Sequence, residues 1–146
     1  MLLIAHRGNL KGKNQHLENT EPYIKEALAE GFDVEVDIWF TSLGWFLGHD
    51  SPLYKTTVEF LKTPGLWCHA KSLTTLEALK REGVEKFFWH QEDNATLTSV
   101  GVPWCYPGIY LETGITVMQT ANLPPTKVYG VCTDWPVTLR SQLSLQ

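Results

Sequence analysis

Apolar and polar positions along this chain switch between two periods, and each switch marks an element. Leu2–Ala5 is an apolar run that reads as a buried strand, followed by a polar loop from Gly8 to Glu18. Thr20 stands at an N-cap position, with Glu21 and Pro22 in the first turn behind it. Ile24, Ala27 and Leu28 recur at helical spacing, and Gly31 suits the stop. A long β segment, Asp33 to Asp50, breaks near Gly44. After a loop containing Pro52 and Pro64, Leu66–Ala70 reads as another strand. Thr74 and Glu77 have capping-box spacing for a helix ending near Gly83. Val84–His90 is an aromatic-rich strand. Residues 96–118 read as short strands and turns around Pro103, Pro107, Gly108 and Gly114. Lys127–Cys132 is a last strand, and Pro136 opens a short terminal helix. The β–α–β–α order predicts an α/β fold with a largely parallel sheet and helices outside it.

Within this pattern the second β segment carries the most information. In "DVEVDI", Val34, Val36 and Ile38 alternate with Glu35 and Asp37, so both carboxylates share one face about 7 Å apart. Alone, such alternation means a half-exposed strand with a polar outer face. The adjoining "TSLGWFLGHD" changes that. A three-residue turn at Ser42-Leu43-Gly44 pairs Thr41 with Trp45, and therefore Asp37 with His49. An imidazole beside two carboxylates points to a site. Two carboxylates held together repel, so either one is protonated or a cation lies between them. Oxygen ligands favour magnesium or calcium. His6, closing the first strand, reaches the same end of the sheet.

Composition narrows the partners. The chain has 146 residues, 43% hydrophobic and 19% charged, with a net charge of −4. That suits a single globular domain over residues 1–146 and excludes a disordered chain. The charge balance and the lack of a basic run argue against nucleic acid as the partner. No apolar stretch approaches a membrane span, and no secretory signal is visible. Cys68, Cys105 and Cys132 are odd in number and without paired spacing, which predicts reduced thiols and a cytoplasmic location. Asn94-Ala95-Thr96 matches the glycosylation pattern by chance on this reading.

"AHRG" at residues 5–8, "ENT" at 18–20, "EVD" at 35–37 and "GHD" at 48–50, in this order, resemble the glycerophosphodiester phosphodiesterase family, one of the phosphatidylinositol-phospholipase-C-like barrels. "TDWP" at 133–136 resembles that family's closing strand and turn. A full (β/α) barrel takes about 250 residues. The resemblance therefore implies a trimmed TIM-like (β/α) barrel with several helices replaced by loops. It further implies a metal-dependent phosphodiester hydrolase with a small phosphodiester substrate, a lipid glycerophosphodiester among the options, and one Mg²⁺ or Ca²⁺. His6 and His49 would be general acid and base, Arg7 would contact phosphoryl oxygens, and Glu35 and Asp37 would bind the metal. Glu18 would support the first histidine loop or approach the metal.

The family's third acidic ligand is missing. "WCHAKS" keeps a lysine, Lys71, but has His69 where the acid is expected; both share a face, and an inward Lys71 would bind phosphate. His69 would ligate the cation or hold one of its waters. His90 or Glu92, which share a face in "FFWHQED", are the other options, His90 being as well a core histidine. Trp104, Tyr106 and Tyr110 are expected in the core. Two other functions compete: a phosphate-binding module of the same fold without turnover, and a hydrolase using His6, His49, His69 and His90 around a transition metal. The sequence leaves open which phosphodiester is cleaved, whether a cyclic phosphate forms, and the oligomeric state.

Overall fold

The computed structural model describes residues 1–146. Its first strand, β1 (Leu2–His6), extends one residue beyond the apolar run and ends on His6, as expected. Helix α1 (Glu21–Ala29) follows, with Thr20 at the N-cap position and Pro22 in the first turn; the Thr20 hydroxyl donates to Leu17 O instead of capping. Then come β2 (Asp33–Thr41), β3 (Gly44–Leu47), β4 (Tyr54–Thr56) and a single-turn helix, α2 (Val58–Leu61). β5 (Leu66–Ala70) leads into α3 (Leu73–Arg81). The cap of α3 is Ser72, whose hydroxyl accepts from Thr75 N, and not Thr74 as the capping-box spacing indicated. The remaining elements are β6 (Phe87–Trp89), β7 (Ala95–Leu97), β8 (Pro103–Cys105), β9 (Ile115–Met118), β10 (Gly130–Thr133) and α4 (Pro136–Ser144).

All ten strands belong to one mixed sheet. Its parallel part runs β6-β5-β2-β1-β10-β9-β8. The strands β3 and β4 branch from β2 as antiparallel additions, and β7 folds back antiparallel on β8. Period two divides the side chains between the faces. Leu3, Ala5, Val34, Val36, Ile38 and Cys68 point to the face that α1, α3 and α4 cover, where the larger core lies. Ile4, Trp67, Phe88, Trp104, Ile115 and Cys132, from six different strands, meet on the opposite face. Each such large apolar side chain contributes roughly 1.5–3 kcal/mol of transfer free energy. The sheet curls around this second cluster, bringing Trp104 of β8 within 4.3 Å of Phe88 and 5.9 Å of Trp67, centroid to centroid. Trp104 is thus core, as expected, and Tyr110 packs against the larger core. Cys68, Cys105 and Cys132 are free and buried.

The expected trimmed TIM-like barrel does not form. No ladder joins β6 to β7 or β8, so the sheet stays open along a seam, and only four short helices accompany it. A full (β/α) barrel alternates strand and helix all the way round. Here that alternation stops after β6. Residues 95–105 make a local antiparallel hairpin, and loops rather than helices carry β8 to β9 and β9 to β10. Across the seam the links are local rather than a ladder: Thr96 Oγ1 donates to Trp89 O at 3.0 Å, while Ser99 donates its N–H to Phe87 O at 2.9 Å and its hydroxyl to Glu85 O at 2.7 Å, and accepts from Phe87 N at 2.8 Å. No helix is long and apolar enough to cross a membrane.

Candidate active site

The C-terminal ends of β1, β2, β5 and β6 bring polar side chains to one rim of the curled sheet, above the inner aromatic cluster. They line a cavity of about 450 Å³, a size usual for small-ligand sites.

Beyond β1 the backbone turns sharply. Arg7 (φ 56°) and Gly8 (φ 89°) both adopt left-handed conformations. A side chain on Gly8 would meet the Tyr23 ring of α1 at 2.9 Å. Gly8 therefore serves the turn and its packing on α1. The turn sends His6 and Arg7 into the cavity. Asn19, also left-handed (φ 63°), clamps the second strand: its amide donates to Asp37 Oδ2 at 2.9 Å, and its carbonyl accepts from Asp37 N at 3.0 Å. Glu18 lies below, 3.4 Å from Arg7 Nη1 and accepting from Asn9 Nδ2 at 2.7 Å. It holds the loop and is not among the grouped donors at Glu35 and Asp37.

Glu35 and Asp37 are both buried, at 3% and 1% exposure, on the inner face of β2. Three cations of this chain surround them. Arg7 Nε is 3.3 Å and Lys71 Nζ 3.8 Å from Asp37, and His69 Nδ1 is 3.3 Å from Asp37 Oδ1 and 3.5 Å from Glu35 Oε2. The like-charge conflict read from the sequence is thus already relieved by side chains. Even so, Glu35 Oε1 and Asp37 Oδ1 remain buried without a hydrogen-bond partner. Burial alone would raise the Asp37 carboxyl; the adjacent His69 ring, together with the charges of Lys71 and Arg7, outweighs it and holds the group well below the usual carboxylate range. Burial works to lower His69, but Asp37 and Glu35 prevail and raise it to about 9.

His6 has a partner that sequence reading missed. Asp134, just after β10, accepts from His6 Nδ1 at 2.8 Å and from Asn9 Nδ2 at 3.0 Å. With Nδ1 occupied, Nε2 is left facing the cavity, 4.0 Å from Glu35 Oε1. Burial would lower His6; the Asp134 hydrogen bond and the Glu35 charge overcome it and raise its pKa. The signal was present: Asp134 lies two residues beyond Cys132, on the inner parity of the last strand, inside the "TDWP" stretch.

His49 lines the same cavity, but not as the pairing rule placed it. The hairpin pairs Thr41 with Gly44 and Ile38 with Leu47, one residue away from the expected register. Gly48, not His49, stands opposite Asp37, donating its N–H to Asp37 O at 3.1 Å. His49 lies beyond the strand, its side chain 43% exposed and its Nδ1 2.7 Å from Asp50 Oδ1. Trp39 Nε1 pins this loop by donating to Gly48 O at 2.7 Å.

On the far wall His90 is buried, with its ring 4.0 Å from that of Tyr106 and both ring nitrogens without a partner. Burial and the nearby His69 lower its pKa. Tyr106, expected in the core, lines the cavity, whereas Glu92 is exposed and outside it. The residues brought together are therefore His6, Arg7, Glu35, Asp37, His49, His69, Lys71 and His90. No protein-family model matches the chain, and no curated protein matches it either.

Proposed function

We propose that the protein cleaves a phosphodiester by acid–base chemistry between His6 and His49. The observation that carries this reading is the His6–Asp134 pair, 2.8 Å apart, presenting Nε2 to a cavity that also contains Arg7, His49 and two buried carboxylates. Arg7 and Lys71 give the anionic phosphoryl group its counter-charge. His49 takes the proton from the attacking oxygen, which is water or a neighbouring substrate hydroxyl. As that oxygen bonds to phosphorus and the P–O bond to the leaving group breaks, His6 Nε2 gives its proton to the departing alkoxide. Asp134 and Glu35, which outweigh burial and raise the His6 pKa, favour the protonated form that this role needs.

One divalent cation belongs to this reading, held by Glu35 and Asp37. The fit rests on the unpartnered Glu35 Oε1 and Asp37 Oδ1 and on a third donor, His69, all within 4.8 Å of one another. When bound, the cation supplies Lewis-acid stabilisation of phosphoryl charge. The rival, a phosphate-binding module without turnover, is favoured by one observation: Arg7, His69 and Lys71 compensate the carboxylates by themselves. An assay with bis(4-nitrophenyl) phosphate and with glycerophosphodiesters, in the presence of divalent cations, separates the two. Turnover supports the hydrolase. Saturable binding of glycerol phosphate with no turnover of any diester supports the module.

Asp134 acts through His6 and is a positioning residue. Asp134→Asn removes a charge that raises His6, so the His6 pKa falls. Loss of the protonated acid with rising pH then begins earlier, and the alkaline limb of the rate profile moves to lower pH. An NMR titration of the His6 ring measures the shift directly. An unchanged His6 pKa in the variant would remove Asp134 from the mechanism.

A further inference from the structure

We infer that His69 is itself a metal ligand and that the Glu35–Asp37–His69 set selects a first-row transition-metal dication, Zn²⁺ or Mn²⁺, over Mg²⁺ and Ca²⁺. This rests on the reading above in one respect, that a divalent cation sits at the two carboxylates.

The tautomer of His69 is fixed by its surroundings. Nε2 lies 3.1 Å from the carbonyl oxygen of His90, which only accepts, so Nε2 carries a hydrogen and donates it. In the neutral ring Nδ1 then keeps its lone pair. Stacking on Phe88, centroids 4.8 Å apart and planes at 17°, fixes the ring orientation. Metal-binding imidazoles are typically held in this manner, with the second N–H given to a backbone carbonyl or carboxylate.

Nδ1 points between the carboxylates, 3.5 Å from Glu35 Oε2 and 3.3 Å from Asp37 Oδ1. These separations exceed the ~2.7–2.9 Å of a charge-assisted hydrogen bond. For these two pairs they agree instead with neighbouring ligands around a cation with bonds of about 2.0–2.1 Å, which lie roughly 3.4 Å apart, and all three donors lie within 4.8 Å of one another. Asp37 Oδ1, one of the two nearest oxygens, has no hydrogen-bond partner, nor has Glu35 Oε1, and both side chains are more than nine-tenths buried.

The donor set decides the class of ion. Ca²⁺ seeks six to eight oxygens, and Mg²⁺ binds oxygen and retains several waters. An imidazole nitrogen in a set of three protein donors moves preference toward Mn²⁺, Co²⁺ and Zn²⁺. Lys71, 3.8 Å from Asp37, opposes every dication alike and does not alter the order.

Chelator-stripped full-length protein titrated by calorimetry with MnCl₂, ZnCl₂, MgCl₂ and CaCl₂, each alone, tests the inference. Mn²⁺ or Zn²⁺ should bind at least about tenfold more tightly than Mg²⁺ or Ca²⁺. Electron spin-echo modulation of the Mn²⁺-loaded protein should show a directly bound ¹⁴N that disappears in His69→Gln, and His69→Glu should shift preference toward Mg²⁺. The parent's metal ranking and its ¹⁴N signal need no variant to fold. Equal or tighter Mg²⁺ binding, or Mn²⁺ bound without nitrogen coupling, overturns the inference. Nitrogen-coordinated Mn²⁺ in a protein that turns over no diester leaves the inference standing and defeats the phosphodiesterase reading; turnover with Mg²⁺ and no nitrogen coupling does the reverse.

Discussion

His6→Ala is expected to lower phosphodiester turnover by about 10²–10⁴-fold while leaving the protein folded. The size follows from losing one of two proton-transfer groups, with Arg7 and the carboxylate site intact. Folding should survive because His6 lies at a strand end, its side chain about a quarter exposed at 24%, and the Asp134 carboxylate keeps its bond from Asn9. His49→Ala should cost a similar factor, since His49 stands on a loop whose anchor, the Trp39–Gly48 hydrogen bond, does not involve its ring. Steady-state kinetics with a chromogenic diester, beside circular dichroism of each variant, provides the check. A well-folded variant that keeps most of the parent's kcat/KM rules out the two-histidine mechanism.

Asp37→Ala should destabilise the metal-free protein by roughly 3–5 kcal/mol, the usual cost of leaving buried charge without its partner. Arg7, His69 and Lys71 all lean on this carboxylate, and Asn19 spends its side-chain donor on it. Asp37→Asn keeps a polar partner for Asn19 but not the charge, so it should fall between parent and Ala variant. The carboxylate titrates well below its normal range in the fold, so its contribution is present above the unfolded pKa of 3.8 and is lost as pH falls through the depressed value. His69 behaves oppositely. Raised from 6.5 to about 9, its share is complete below pH 6.5 and is lost as pH rises through 9. Urea denaturation in a chelator, from pH 4 to pH 9, should therefore show the gap between parent and Asp37→Ala widest between about pH 5 and pH 6.5 and narrowing toward pH 9. A gap below about 1 kcal/mol there would show that Asp37 is not the shared counter-charge.

Much of the site was legible because it depends on parity. Strand alternation alone put Glu35 with Asp37 and His69 with Lys71 on the inner face, and no partner strand was needed for that. Quantities set between strands were not legible. The Thr41–Gly44 pairing differs from the expected one by a single residue, and that slip exchanges Gly48 for His49 opposite Asp37. Closure failed for a related reason: whether β6 meets β8 depends on how residues 95–105 fold, and a short strand such as Ala95–Leu97 gives no sign of its direction. Asp134 was overlooked because its role comes from His6, a residue 128 positions away.

That separation has a consequence for how the molecule is made. The ladder between β1 and β10 joins Leu2–Ala5 to Gly130–Thr133, so the first and last strands are neighbours at the middle of the sheet. Pairing β1 with β2, Ile4 with Asp33, closes a short loop; pairing His6 with Asp134 closes one more than four times longer, at about 1.3 kcal/mol of extra chain entropy. The entropy difference is modest, but the order of events on the ribosome is strict. While β10 is still inside the exit tunnel, β1 has an unpaired edge and His6 has no carboxylate to orient it. Competence for proton transfer therefore arrives only once β10 and Asp134 have emerged, and a fragment cut short before residue 134 carries the motif without the dyad.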